Sequence, residues 1–241
     1  MKQASLYAQR IRKFYNSVRR QVRAVPTDDG LTDPVEQILL SVLSRGTTQN
    51  RARQGLNRIK RSVVDFNELR VTPPGEILEM LGRNFPGARE KATAIRKLLN
   101  AIFEREHSLD LTRLRDQPKR AAREYLEGLE GIDPYTVASV MLLSLGGHAI
   151  PVDDNMMRLF REHELIDEQA DVAQVQSFLE RHIPASEART FALVMQEYAA
   201  SAASKARRSA SRRVGDSGSK RRRGAGKAQP RTARRKSASK L

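Results

Sequence analysis

Two short segments hold residues whose types and spacing could do chemistry. The first is Ala149-Ile150-Pro151-Val152-Asp153-Asp154-Asn155, where a carboxylate directly follows an apolar run and directly precedes a helical pattern. An Asp in that place can accept from the first free amides of the helix as an N-cap. Apolar neighbours can also desolvate it and raise its proton affinity, which suits a carboxylate to acid–base work. Asp153 and Asp154 both qualify on spacing. The second segment is Leu129-Glu130-Gly131-Ile132-Asp133-Pro134-Tyr135-Thr136-Val137-Ala138. Gly131 is free to take positive φ in a tight turn, Asp133 can cap the helix that follows, and Pro134 can occupy its first position. The turn amides and the positive helix end would then converge on one point and seat a phosphate anion. A glycine turn between two helices is equally an ordinary helical corner, so the segment alone leaves both readings open.

The elements that must position these residues all read as helices. Asp33-Pro34 caps and opens Glu36–Ser44, with Ile38, Leu39, Val42 and Leu43 as an apolar stripe. Thr47 and Thr48 can cap a basic helix from Gln49 to about Arg61. Thr72-Pro73 opens a short helix carrying Ile77, Leu78 and Leu81. Asn84-Phe85-Pro86-Gly87 is a turn. From Ala88 to Arg105, Ala92, Ile95, Leu98, Leu99 and Ile102 share one face. Further helices fit Pro118–Leu126, Pro134–Leu145, Asn155–His163, Val172–Ile183 and Glu187–Ser201, and a basic N-terminal helix, Arg10–Arg23, lays Ile11, Phe14, Tyr15 and Val18 on the body. No alternating strand pair with a hairpin turn occurs, so the fold class is all-α.

The 241 residues carry 44 Lys and Arg against 28 Asp and Glu, a net charge of +16, and the surplus is concentrated at one end. From Ser201 onward there are fifteen Lys and Arg against one acid, Asp216. That stretch has too little apolar surface to offset chain entropy, so residues 204–241 are expected to be a disordered tail. Its clusters, Lys220-Arg221-Arg222-Arg223 and Arg234-Arg235-Lys236, suit sequence-independent contact with phosphates. There is no cysteine, which excludes thiolate zinc sites, cysteine nucleophiles and Cys-ligated clusters, and four scattered histidines give no metal set. No apolar run reaches the roughly 18 residues that span a bilayer. The N-terminus has no apolar signal core. These features predict a cytoplasmic, cofactor-free protein whose partner is a polyanion.

Taken together, the segments resemble the helix-hairpin-helix (HhH-GPD) DNA glycosylase superfamily, in its endonuclease III-like branch. The hairpin Leu-x-Gly-apolar-Gly-x-x-Thr-Ala appears as LEGIDPYTVASVMLL, and the apolar-x-Val-Asp segment follows as AIPVDDNMMRL with the spacing kept. Upstream, ILLSVLSRGTTQNRA is similar to the family's early helix and base-pair wedge loop, and NFPGAREKATAIRKL to its Gly-x-x-x-Lys-Ala-x-x-Ile helix. The resemblance covers about residues 30–200. It implies a two-lobed helical domain over 30–203 with the hairpin at 126–138, preceded by residues 1–29 as the N-terminal helix.

The resemblance also implies base-excision repair of damaged or mismatched double-stranded DNA by a monomer, in the nucleoid or nucleus. Asp153 aligns with the family's aspartate, which stabilises the cationic sugar as the base leaves and helps activate the nucleophile. Bifunctional members carry a Schiff-base lysine where this chain has Tyr135. A phenol forms no imine, so the lyase step is expected to be missing and Tyr135 either lines the base pocket or packs. Gly131, Asp133 and Thr136 would meet the DNA backbone, and Arg45, Gly46 and Thr48 would act from the wedge loop. Four departures stand out: Asp133 replaces the hairpin's second glycine, the wedge loop reads Ser44-Arg45-Gly46-Thr47-Thr48 where the family normally carries Gln or Asn, Ser41 stands where the adenine-specific branch has a catalytic glutamate, and Tyr198–Ala203 contains none of the four cluster cysteines. Lys91 is expected as a solvated or DNA-facing cation rather than a hidden Schiff-base lysine, and Arg158 as a partner of Asp153, Asp154 or a phosphate. A non-catalytic DNA-binding relative and a basic nucleoid or RNA-associated helical protein are the competing classes.

Overall fold

The structure, a computed structural model, describes residues 4–22 and 31–224, with residue 208 and residues 210–224 described by their backbone alone. Eleven α-helices and one 3-10 turn make up the described residues, with no strand among them. In chain order the helices are α1 (Ala4–Arg19), α2 (Pro34–Ser44), α3 (Gln49–Ser62), α4 (Phe66–Val71), α5 (Pro74–Leu81), α6 (Ala88–Glu106), α7 (Lys119–Glu127), α8 (Pro134–Leu143), α9 (Asp154–Glu162), α10 (Val172–His182) and α11 (Ala185–Gly224).

Side-chain caps at several starts show why the helices begin where they do. Asp33, Thr48, Asp65, Asp133, Asp153 and Asp171 each accept from an amide in the first turn of α2, α3, α4, α8, α9 and α10. Each such bond satisfies an amide that has no partner inside its own helix. The short α4 and the 3-10 turn Thr112–Arg115 went unrecognised in the sequence because each is too brief to show a periodic stripe.

The chain divides into two compact units, Met1–Ala203 and Ser204–Leu241. In the first, α8 is buried on every side, with all residues from Tyr135 to Leu143 in the core, and it packs against α2 and α7. Helix α6 packs against α2, α4 and α5. The N-terminal helix joins the late helices: Tyr15 meets Phe191 at 5.1 Å, and Phe14 meets His163 at 4.6 Å and Tyr198 at 5.9 Å. Helix α1 starts at Ala4 rather than Arg10 and ends at Arg19, and residues 23–30 lie outside the described residues. Ile11, Tyr15 and Val18 are buried, as the spacing predicts. One continuous apolar core runs through all of these helices.

Helix α11 runs on past Ala203 to Gly224. The physical reason is local: Ala, Arg and Lys are good helix formers, and extending a helix needs no new nucleus. The side chains of Lys220, Arg221, Arg222 and Arg223, and all of residues 225–241, lie outside the described residues.

Candidate functional site

Three chain segments converge: the hairpin between α7 and α8, the loop between α2 and α3, and the start of α9. In the hairpin, Gly131 takes φ +84, and a Cβ there would lie 3.0 Å from the Lys97 side chain. The positive φ favours glycine here, and the Lys97 side chain would have to give way to a Cβ. Among the described residues no main-chain carbonyl accepts from the amides of Glu130 or Gly131, which leaves these donors for an anion.

Asp133 sits in extended backbone at φ −109, so the position that is glycine in the family pattern needs no left-handed conformation here. Its Oδ1 accepts from the Thr136 amide and its Oδ2 from the Thr136 hydroxyl, both at 3.0 Å. Thr136 is fully buried and spends both of its donors on Asp133. Two carboxylates flank the hairpin turn, and each has a cation: Lys97 at 2.8 Å from Glu130, and Arg45 at 3.5 Å from Asp133.

Asp153 is 8% exposed. Its Oδ1 accepts from the Met156 amide at 2.9 Å, making the cap of α9, while Oδ2 lies 3.4 Å from the Asn155 amide nitrogen. Burial raises its pKa above the ordinary 3.8; the Asp154 charge adds to this, while hydrogen bonds from the Met156 and Gly46 amides and the charge of Arg45 work against it. Asp154, the other candidate, is exposed and pairs with Arg45 at 3.7 Å. The geometry thus separates two adjacent carboxylates into one held in the interior and one held in solvent.

Tyr135 lies within the electrostatic reach of this carboxylate, buried, with its hydroxyl 2.9 Å from Ser44 Oγ. Burial, and after it the charge of Asp153, pushes the phenol above its usual range, so it is neutral at physiological pH. Ser41 is buried too, its hydroxyl donating to the Gln37 carbonyl at 2.7 Å and accepting from the Gln37 side chain at 3.1 Å, with no carboxylate in that position.

The α2–α3 loop is fixed from several sides. Thr48 caps α3 through the Arg51 amide at 3.3 Å, and the Gln49 amide donates to Glu197 of α11 at 3.0 Å. Gly46 has φ +69. The Arg45 side chain spans Asp133 and Asp154, linking the hairpin to the start of α9.

Lys91 corrects the sequence expectation. It is buried, and its ammonium donates to the carbonyls of Leu43 and Arg45, each at 2.7 Å, with the Phe85 ring 4.9 Å away. Desolvation, then the charges of Arg45 and Arg51, lowers its pKa to about 8. A signal was present: Lys91 falls four residues before Ile95 on the apolar face of α6, where a solvated cation would not sit. Arg158 also differs, donating to Asn155 Oδ1 at 3.1 Å and pairing with Glu162 at 3.7 Å rather than with either aspartate.

Residues 198–203 lie within α11 with Ala199, Ala200 and Ala203 buried. This stretch has no thiolate, so a cysteine-ligated cluster does not fit it. Among the described residues no group of three or more His, Cys, Asp or Glu is placed to hold a metal ion, and no helix is long and apolar enough to cross a membrane.

No protein-family model matches the chain. Among curated proteins it is similar to DEMETER-like protein 2 of Arabidopsis thaliana, 36% identical over 99 residues, which cover 40% of this chain and 7% of that protein. The DNA glycosylase/AP lyase ROS1 of the same plant is 34% identical over 113 residues, covering 45% of this chain and 8% of that one. The chain thus spans less than a tenth of the length of these relatives. A third Arabidopsis thaliana protein, provisionally named a DNA glycosylase, is 22% identical over 186 residues, or 75% of this chain and 63% of its own.

Among solved structures, endonuclease III trapped as a covalent intermediate with DNA superposes with a TM-score of 0.60 at 21% identity, over 78% of this chain and 84% of that one. A thermostable thymine-DNA glycosylase gives 0.57 at 20% identity, over 82% and 86%. Two of these relatives are named as DNA glycosylases, and the fold of this chain is that of endonuclease III and the thymine-DNA glycosylase.

Proposed function

We propose that this chain is a monofunctional DNA glycosylase that hydrolyses the N-glycosidic bond of a damaged or mismatched base in double-stranded chromosomal DNA. One observation carries the reading: a buried carboxylate, Asp153, stands at the start of α9 beside the hairpin and the α2–α3 loop, with its proton affinity raised by burial.

In this reading the hairpin amides and Lys97 hold a backbone phosphate, and the α2–α3 loop enters the space left by a base turned out of the stack. The C1′–N bond breaks with its electron pair going to the base, which takes a proton from solvent. Positive charge develops on the sugar, and the Asp153 carboxylate stabilises it in a low-dielectric setting. Water then forms the C1′–O bond and gives its proton to Asp153.

The absence of a lyase step follows from Tyr135. A neutral phenol bonded to Ser44 has no nitrogen with which to form an imine, and Lys91 points its ammonium into two carbonyls. The neutral Ser41 argues against excision of adenine, since the adenine-specific branch carries a glutamate there. Arg45, Gly46 and Thr48 are assigned to the loop that enters the helix, and Lys220–Arg223 to sequence-independent phosphate contact.

A panel of duplexes with single U·G, T·G, A·8-oxoguanine or oxidised-pyrimidine lesions tests this. Strand breaks that appear only after hot alkali, and vanish with Asp153→Asn, are expected on one of them. Breaks without alkali would sink the monofunctional assignment, and tight binding with no excision on any lesion would favour a non-catalytic DNA-binding protein.

A further inference from the structure

The carbonyl of Arg45 and the amide of Gly46 belong to one peptide unit, and that unit stretches between two buried charges. Its carbonyl accepts from Lys91 Nζ at 2.7 Å, and its amide donates to the Asp153 carboxylate. The peptide is planar, so its two ends cannot turn independently. Where the carbonyl points decides where the amide points.

The local chain makes this unit easy to turn. Helix α2 ends at Ser44, and a turn follows in which the Thr47 amide donates to the Ser44 carbonyl at 3.0 Å, with Arg45 at φ −54 and ψ 126 as its first central residue. Gly46 follows at φ +69, and a Cβ there would meet nothing within 4 Å. The two common forms of such a turn differ by rotation of the central peptide, here Arg45–Gly46, and that rotation leaves the closing bond intact. Lys91 adds a cap from α6, donating to the Leu43 and Arg45 carbonyls at once, and its positive charge complements the negative end of α2.

We infer that Lys91 is a positioning residue for the carboxylate of Asp153, acting through the Arg45–Gly46 peptide. The inference rests on the glycosylase reading for its consequence in catalysis, though not for its geometry. The ammonium keeps the carbonyl turned toward α6, which keeps the Gly46 amide on the carboxylate and keeps that carboxylate charged and oriented. The charged and titratable groups facing the pair are Arg45, Asp133, Asp154 and Tyr135 around Asp153, and Arg45, Arg51 and Glu90 around Lys91. Lys91 does not touch the reacting atoms, and it is not a nucleophile.

The test follows the Asp153 carboxyl carbon by NMR across pH in the wild-type chain, in Lys91→Met and in Lys91→Arg. Removing the ammonium is expected to free the peptide, withdraw the Gly46 amide and raise the Asp153 midpoint by about one pH unit, with Arg restoring most of the shift. An unchanged midpoint in a folded Lys91→Met protein overturns the inference.

In the wild-type protein the Gly46 amide shift is expected to titrate with the same midpoint as Asp153, a measurement that needs no variant, and a Gly46 amide indifferent to that titration overturns it equally. On a cleavable lesion duplex, Lys91→Met should lower kcat about tenfold or more and move the acid limb of the pH profile upward, leaving affinity for a tetrahydrofuran abasic duplex within about twofold. If wild-type protein excises nothing, the glycosylase reading fails while the two titrations still decide the role of Lys91.

Discussion

Replacing Asp153 separates its two duties, capping α9 and carrying a negative charge. As a cap it accepts from the Met156 amide at 2.9 Å, and Asn at an N-cap performs about as well as Asp, whereas Ala costs about 1 kcal/mol. As a charge it is held in an interior that raises its pKa above 3.8, chiefly by desolvation. The sign of the linkage follows from that direction. The folded state binds the carboxyl proton more tightly than the unfolded state, so stability declines as pH rises from 3.8 through the folded midpoint and stays at the lower level near neutrality.

An uncharged isostere escapes that loss. Asp153→Asn is therefore expected to melt no lower than wild type at pH 7, with any gain closing as pH falls toward 4. Asp153→Ala should lie about 1 kcal/mol below Asp153→Asn, which for a chain of this size is about 2–4 °C. Scanning calorimetry of the three proteins at pH 7 and pH 5 reads both differences. Excision should fall by about 10²- to 10⁴-fold in both variants despite their different stabilities. If Asp153→Asn proved as unstable as Asp153→Ala, the charge would be contributing to the fold, and the picture of a carboxylate kept under desolvation for chemistry would be refuted.

Other consequences follow from the same site. Excision that depends on ionised Asp153 should fall on acidification with a midpoint above 3.8, read from single-turnover rates across pH. Gly131→Ala forces a side chain onto φ +84 beside Lys97 and should cost about 1–2 kcal/mol in chemical denaturation while weakening binding to undamaged duplex. Arg45→Ala removes two exposed ion pairs and should change stability by less than about 1 kcal/mol, yet reduce affinity for an abasic duplex measured by fluorescence anisotropy. Deleting residues 204–241 should flatten the dependence of log K on log salt by about 0.9 for each phosphate the tail neutralises, and an unchanged slope would remove the tail from the interface.

The sequence carried most of the scaffold because long amphipathic helices declare themselves. The stripe of α6 and the Asp-Pro starts of α2 and α8 placed those helices to within a few residues. The hairpin was legible through Gly131 and Asp133, and the carboxylate through its place between an apolar run and a helix start. What stayed hidden were contacts between elements distant in the chain. Nothing local to Lys91 says that its ammonium reaches the end of α2, because that bond spans 48 residues. Likewise Ser44 and Tyr135 meet only because α2 packs on α8. Arg45 could be read as a free wedge cation, and only the fold shows it strung between Asp133 and Asp154.

The most direct test of hydrolysis at Asp153 is mass-spectrometric detection of the free base released from a lesion duplex in a single turnover, with the DNA strand followed in the same sample. The account predicts one base released for each duplex processed, an intact strand carrying an abasic site, no borohydride-trapped adduct, and none of this product from Asp153→Asn. Base release undiminished in that variant, or an adduct trapped on the wild-type chain, would contradict it.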